Sequence, residues 1–224
     1  MKSLKALFLL VLFGALVSRP AMALVDQAQT VNSATATIER MKTESSFQET
    51  LQKRLKEARA VLVVPALYKA GFIFGGQYGN GVLLARQPDG SWGYPAFYTL
   101  EGGSFGLQMG LESSAILFVV MSDAGLTALL NNQFKIGADA GITVLLVGAA
   151  VSADTTSNLG ADMLAYSLSG VGLFAGISLE GAVLSPRESW NADYYGRNLS
   201  SRAIVLEGAA SNPQADRLRE TLAH

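Results

Sequence analysis

The sequence predicts an α+β fold, with N-terminal helices packed on a curved antiparallel β-sheet or barrel, a short inserted helix and a C-terminal helix. Two observations carry this. Apolar residues recur at steps of three and four up to residue 59, and from 61 to 184 the chain turns into short β-prone runs broken by glycine. A third, Asn212-Pro213 ahead of Ala215, Leu218 and Leu222, marks a closing helix.

Residues 1–23 come first. Lys2 and Lys5 precede the apolar run Ala6 to Val17, and Ala21-Met22-Ala23 follows as a small-residue site, the three-part layout of a secretory signal peptide cleaved after Ala23. As a retained anchor, the twelve-residue run rises only about 18 Å as helix, against a hydrocarbon core of roughly 30 Å. The expected product is periplasmic or secreted, and residues 24–224 fit one domain of ordinary size.

Val25, Ala28, Val31, Ala34, Ile38 and Met41 line one face of a first helix, with Asp26 placed to cap it. Ser46 and Glu49 form a capping box for a second helix over 47–59, which turns Phe47, Leu51, Leu55 and Ala58 to one side. Neither polar face is strongly basic, so both read as helices packed on a core rather than lying on a membrane.

The β-prone runs are 61–64, 71–74, 81–86, 96–100, 105–121, 134–151 and 163–184. Gln87-Pro88-Asp89-Gly90 is a turn that lets its flanking runs pair as a hairpin, because Pro sets φ at one position and Gly supplies a positive φ at another. Ser122 caps a short helix over 123–131 that turns Leu126, Leu129 and Leu130 inward. Glycines within strands, among them Gly102, Gly103, Gly106, Gly110, Gly137, Gly141, Gly170, Gly172 and Gly176, point to bulges, curvature or close backbone approach. The polar stretch 152–162 reads as a loop.

Composition excludes several chemistries. There is no Cys, so disulfides, thiol catalysis and thiolate metal sites are absent, and the one His is His224, which leaves no imidazole for a triad or a zinc site. Neither a metal nor a cofactor is expected. The whole chain has 17 Lys and Arg against 18 Asp and Glu; loss of Lys2, Lys5 and Arg19 with the signal leaves 14 against 18. An acidic chain without clustered cations is a poor partner for nucleic acid.

The order of the motif blocks carries more. They read Ala-Arg-Ala-Val-Leu-Val-Val-Pro at 58–65, Lys69-Ala70-Gly71-Phe72 with Gly75-Gly76, Gly79-Asn80-Gly81-Val82-Leu83, and Gly90-Ser91-Trp92 with Pro95. Then come Gly102-Gly103-Ser104-Phe105-Gly106-Leu107-Gln108-Met109-Gly110, Gly137-Ala138-Asp139-Ala140, Tyr166-Ser167, and the run from Gly172 to Gly181. This ordered set resembles the SYLF domain, found in bacterial exported proteins and in eukaryotic proteins that bind phosphoinositides and, in yeast, actin.

The resemblance divides the chain into a signal peptide (1–23), an N-terminal helical region (24–57), a SYLF-like β-rich core (58–197) and a C-terminal strand or helix extension (198–224). It implies a non-catalytic protein that binds phospholipid at the bacterial envelope, where actin is not an expected partner. A structural or protein-interaction module of the envelope without lipid specificity is the alternative.

Within the blocks, Lys69, Arg86 and Lys135 are the candidates for an anionic headgroup, with solvated surface charge as the other reading of each. Trp92 and Tyr94, in an aromatic cluster with Phe97 and Tyr98, are candidates for a membrane interface, with packing inside the hairpin as the other reading. The glycine runs 75–81 and 102–106 lack the strand, loop, helix order of a phosphate loop and are structural. Glu101, Glu112, Asp123, Asp139, Asp154, Asp162 and Glu180 could supply a carboxylate pair for hydrolysis, but spacing alone does not bring two together.

Overall fold

The computed structural model describes residues 19–45, 48–71, 74–105, 110–139, 141–147, 160–169 and 179–224. Residues 1–18, which hold most of the expected signal peptide, the expected cap Ser46 with Phe47, the stretch 152–159 and the glycines Gly106, Gly170, Gly172 and Gly176 lie outside these residues.

Helix α1 spans Arg19–Thr43 and α2 spans Gln48–Glu57. The expected stripes are the buried ones: Val31, Ala34, Ile38 and Met41 on α1, then Leu51, Leu55 and Ala58. Asp26 does not cap α1. The helix starts seven residues earlier, so Asp26 is an exposed interior position whose carbonyl accepts from Thr30 Oγ1. Among the described residues, no helix is long and apolar enough to cross a membrane.

Eight strands follow: β1 Ala60–Gly71, β2 Phe74–Ala85, β3 Ala96–Phe105, β4 Gly110–Val120, β5 Phe134–Lys135, β6 Val144–Val147, β7 Met163–Ser169 and β8 Val183–Pro186. They form one curled sheet in the order β5-β8-β3-β2-β1-β4-β7-β6. Its ends, β5 and β6, do not pair with each other, so the curl stops short of a closed barrel.

The sheet is mixed rather than wholly antiparallel. β6 runs parallel to β7, with Val144 opposite Met163, while every other neighbouring pair is antiparallel. A parallel pair needs a crossover of a dozen or more residues, and the 148–162 connection is long enough.

The middle of the sheet is buried on both faces, which explains the unbroken apolar runs 60–64 and 116–120. Val61, Val63, Val82, Leu84, Phe97, Leu117 and Val119 pack toward α1 and α2. Helix α4 (Glu188–Tyr195) joins that side through Trp190 and Tyr194, and α6 (Asp216–Ala223) through Leu218 and Leu222. Leu62, Val64, Leu83, Tyr98, Phe118 and Val120 pack on the other side. There they meet α3 (Asp123–Leu129) through Leu126 and Leu129, and α5 (Ser201–Leu206) through Ile204 and Val205.

Pro65 sits within the central strand β1, and the strand accommodates it by a bulge. The register breaks between Val63 and Tyr68 against β2, and between Val64 and Leu67 against β4. The bulge presses on β2 where β2 has no side chain. A Cβ on Gly79 would lie 2.6 Å from the Ala66 carbonyl oxygen, and one on Gly81 only 2.4 Å from that of Val63.

The turn at Gly90 and the caps at Ser122 and Asn212 match their sequence signals. Gly90 has φ +83°, and the Asp89 carboxylate accepts from the Ser91 amide and hydroxyl. Ser122 Oγ accepts from the Gly125 amide at the start of α3, and also donates to Asp162. Asn212 Oδ1 accepts from the Gln214 amide, and a 3₁₀ turn at Pro213–Ala215 leads into α6.

Candidate functional site

The three candidate cations do not share a site. Lys69 is 8% exposed and lies at one end of the β1–β2 pair, opposite Gln77, whereas Arg86 lies just past the other end, where Ala60 meets Ala85. Nine residues of extended strand separate them by roughly 30 Å. Lys135 is exposed on the edge strand β5, four strands from β1 and so about 19 Å away across the sheet.

Arg86 has structural work. Its Nη2 donates to the Leu55 carbonyl at 2.8 Å, Nη1 to Gly90 at 2.9 Å and Nε to Ala58 at 3.3 Å, and its Cζ stands 4.4 Å above the Trp92 ring. It thereby ties the end of α2 to the β2–β3 turn.

The candidate aromatics are packed. Trp92 is 1% exposed within the core beneath Arg86. Tyr94 is half-buried: its hydroxyl donates to Asp216 Oδ1 at 3.1 Å and Arg219 lies 4.1 Å over its ring, which fixes α6 to the hairpin. Among the described residues the exposed aromatics are Tyr68 (56%) and Tyr78 (46%), register partners on β1 and β2. Sequence alternation past Pro65 did not reveal them, because the bulge resets which side chains face which way.

Two concavities among the described residues bear on binding. The first is a hollow of about 180 Å³ where the end of α1, the outer side of α2 and the end of α6 meet. Lys42, Lys56 and Arg86 line it with Gln52, Leu55 and His224, and no acidic side chain does. Lys42 Nζ donates to the Thr221 carbonyl. Burial pushes the Lys42 ammonium and the Arg86 guanidinium below their ordinary values, as desolvation does for any cation. The ion pairs among the described residues are Arg54–Glu57, Arg59–Asp123, Arg217–Glu39 and Arg219–Asp216, and none involves these three cations. Lys42 and Lys56 each lie in the last turn of a helix, where a cation complements the backbone dipole. That positional signal was in the sequence; their convergence was not.

The second site is a groove of about 490 Å³ between α1 and the bulged stretch of β1. Thr37, Ser33 and Asp26 descend one side, and Tyr68, Asn80 and Trp190 form the other. Asn80 is fixed from behind: its Oδ1 accepts from Arg187 Nη1 at 2.8 Å, from the Tyr78 hydroxyl at 3.0 Å and from Thr99 Oγ1 at 3.3 Å. Arg187 is held in turn 3.7 Å over the Trp190 ring.

Of the acids named from the sequence, Asp123 pairs with Arg59, and Asp139 and Asp162 brace local backbone. Asp139 Oδ2 accepts from the Lys135 amide and Asp162 Oδ2 from the Thr143 amide. Among the described residues no group of three or more His, Asp or Glu could hold a metal ion.

Residues 101–224 match the family model described as Ysc84: Las17-binding protein actin regulator. Over 171 residues, 75% of this chain, the sequence is 31% identical to protein YSC84 of Saccharomyces cerevisiae, of which the match covers 36%. Over 164 residues, 72% of this chain, it is 30% identical to LAS seventeen-binding protein 3 of the same yeast, covering 35% of that protein. Over 162 residues, also 72% of this chain, it is 30% identical to SH3 domain-containing YSC84-like protein 1 of Bos taurus, covering 47% of it. The chain thus spans about a third to a half of these relatives' length. With motif blocks, fold and kinship in agreement, the chain belongs to the Ysc84 family, that of the SYLF domain.

Proposed function

We propose that this chain is exported and binds phospholipid, without catalysis, at the cell envelope, with the hollow of Lys42, Lys56 and Arg86 receiving a headgroup phosphate. The observation that carries the reading is the meeting of three cations around one concavity that no Asp or Glu side chain lines among the described residues. Placing cationic side chains together with carbonyl partners but no Asp or Glu beside them costs stability, and a bound phosphate offsets that cost. Arg86 presents its guanidinium already held in place, while Lys56 is exposed and free to adjust.

Co-sedimentation with phosphatidylglycerol and phosphatidylcholine vesicles tests this. A lysine near an anionic surface contributes about 1 kcal/mol, so Lys42→Gln with Lys56→Gln is expected to weaken retention on phosphatidylglycerol roughly thirtyfold. Retention on neither vesicle, or retention indifferent to both substitutions, refutes the reading.

A second reading is protein binding. It is favoured by the names of the relatives, one of them a Las17-binding protein, and by the family's description as an actin regulator. A chain kept in the cytoplasm that co-sediments with actin filaments and ignores vesicles supports that reading instead; an envelope partner is the equivalent for an exported chain.

A further inference from the structure

The groove beside α1 differs in chemistry from the basic hollow. No Lys or Arg lines it, and Asp26 at its rim disfavours an anion. What it offers is neutral hydrogen bonding. Because Arg187 has only donors, the Asn80 atom facing it is the carboxamide oxygen, so the Nδ2 amine is the unspent donor at the groove. The Tyr78 hydroxyl gives its proton to the same oxygen and accepts from Arg187 Nη1 at 3.3 Å, which leaves the amide no reason to flip.

On the facing wall, Asp26, Ser33 and Thr37 recur at helical spacing and present a carboxylate and two hydroxyls along one line. Tyr68 adds an exposed aromatic ring, and the buried Trp190 closes the floor. Fixed donors facing acceptors and hydroxyls, beside an aromatic face and without a cation, match a ligand dense in hydroxyl groups with apolar C–H faces. The volume falls within the range of small-molecule sites.

We propose that this groove binds a neutral saccharide, either free or as the headgroup of a glycolipid, through Asn80, Asp26, Ser33 and Tyr68. The site is separate from the basic hollow, so it stands or falls independently of phosphate binding.

The test is a ¹H–¹⁵N spectrum of the full chain titrated with galactose, maltose and N-acetylglucosamine, with the Asn80 amide and Trp190 indole signals as reporters. In a parallel arm, phosphatidylcholine vesicles with and without monogalactosyl diacylglycerol are compared for retention. Saturable movement of the reporters with a Kd on the order of 1 mM is expected for a free sugar, and retention only on the galactolipid vesicles for a headgroup. Asn80→Asp, which keeps the oxygen that faces Arg187 but removes the donor, and Asp26→Ala, on an exposed helix position, are each expected to weaken binding roughly tenfold with the unfolding midpoint kept. The proposal is overturned by no saturable shift with any sugar and no preference between the vesicles, by shifts that cluster at Lys42 and Lys56 instead, or by affinities that neither substitution changes.

Discussion

Replacing Arg86 separates its structural work from any part in binding. Arg86→Met keeps much of the stem's volume but removes the fork that joins α2 to the β2–β3 turn. The bond to Leu55 at 2.8 Å is part-buried and contributes about 1.5 kcal/mol, as hydrogen bonds from charged donors do. The bond to Gly90 is exposed, and water replaces most of it, leaving roughly 0.5 kcal/mol. Loss of the stack on the buried Trp92 removes about 1 kcal/mol more. A destabilisation of about 3 kcal/mol is therefore expected, which for a domain of this size lowers Tm by roughly 6–12 °C. Arg86→Lys retains the charge and one hydrogen bond, so about half that loss is expected. Urea unfolding followed by tryptophan fluorescence measures both. An Arg86→Met midpoint equal to that of the parent refutes the structural role and leaves the guanidinium free for ligand alone.

Two further perturbations follow from the sheet. Gly81→Ala drives a Cβ to 2.4 Å from the Val63 carbonyl oxygen, so the β1 bulge must move, and a loss of about 2 kcal/mol or more is expected in the same urea assay. Gly103→Ala is the control, because nothing lies within 4 Å of its added carbon, and its midpoint is expected to stay within about 0.5 kcal/mol of the parent. Alkaline unfolding probes the tyrosines. Burial pushes the Tyr166 phenol up to about 12 and raises Tyr98, Tyr194 and Tyr195 as well. A phenol that keeps its proton longer when folded contributes stability below the unfolded value of about 10, and this is lost as pH rises through the folded value. Tyr166 alone accounts for a loss on the order of 3 kcal/mol between pH 10 and 12. Urea midpoints that fall steeply above pH 10, together with tyrosinate absorbance appearing on unfolding, are expected; a flat profile to pH 12 contradicts the burial argument.

Features written in neighbouring residues were legible before any coordinates. The stripe ending at Ile38 and Met41, the Pro88-Asp89-Gly90 turn, the Ser122 cap and the Asn212-Pro213 entry to α6 each rest on contacts a few residues apart. Helices α4 and α5 gave weaker signals. Arg187 precedes α4 without a side-chain cap, and α5 is six residues long. The candidate site was harder still, since Lys42, Lys56 and Arg86 meet only through the packing of three elements. For Trp92 beside the Pro-Asp-Gly turn the sequence left interface and packing both open; the packing that buries it comes from α6, which folds back over that turn so that Arg219 Nε donates to the Trp92 carbonyl at 2.7 Å. Nothing in the local sequence announces a lid supplied from more than a hundred residues away.

The meeting of α1 with α6 has a consequence for the order of folding. Lys42 donates to the Thr221 carbonyl, Arg217 pairs with Glu39 at 3.0 Å, and Met41 is buried in the same core as Leu218 and Leu222. Helix α1 thus takes part of its cover from α6, so a growing chain cannot complete this side of the sheet until α6 has been made. Until then the end of α1 around Met41 lacks part of its cover, and deletion of α6 would leave Met41 exposed on that side.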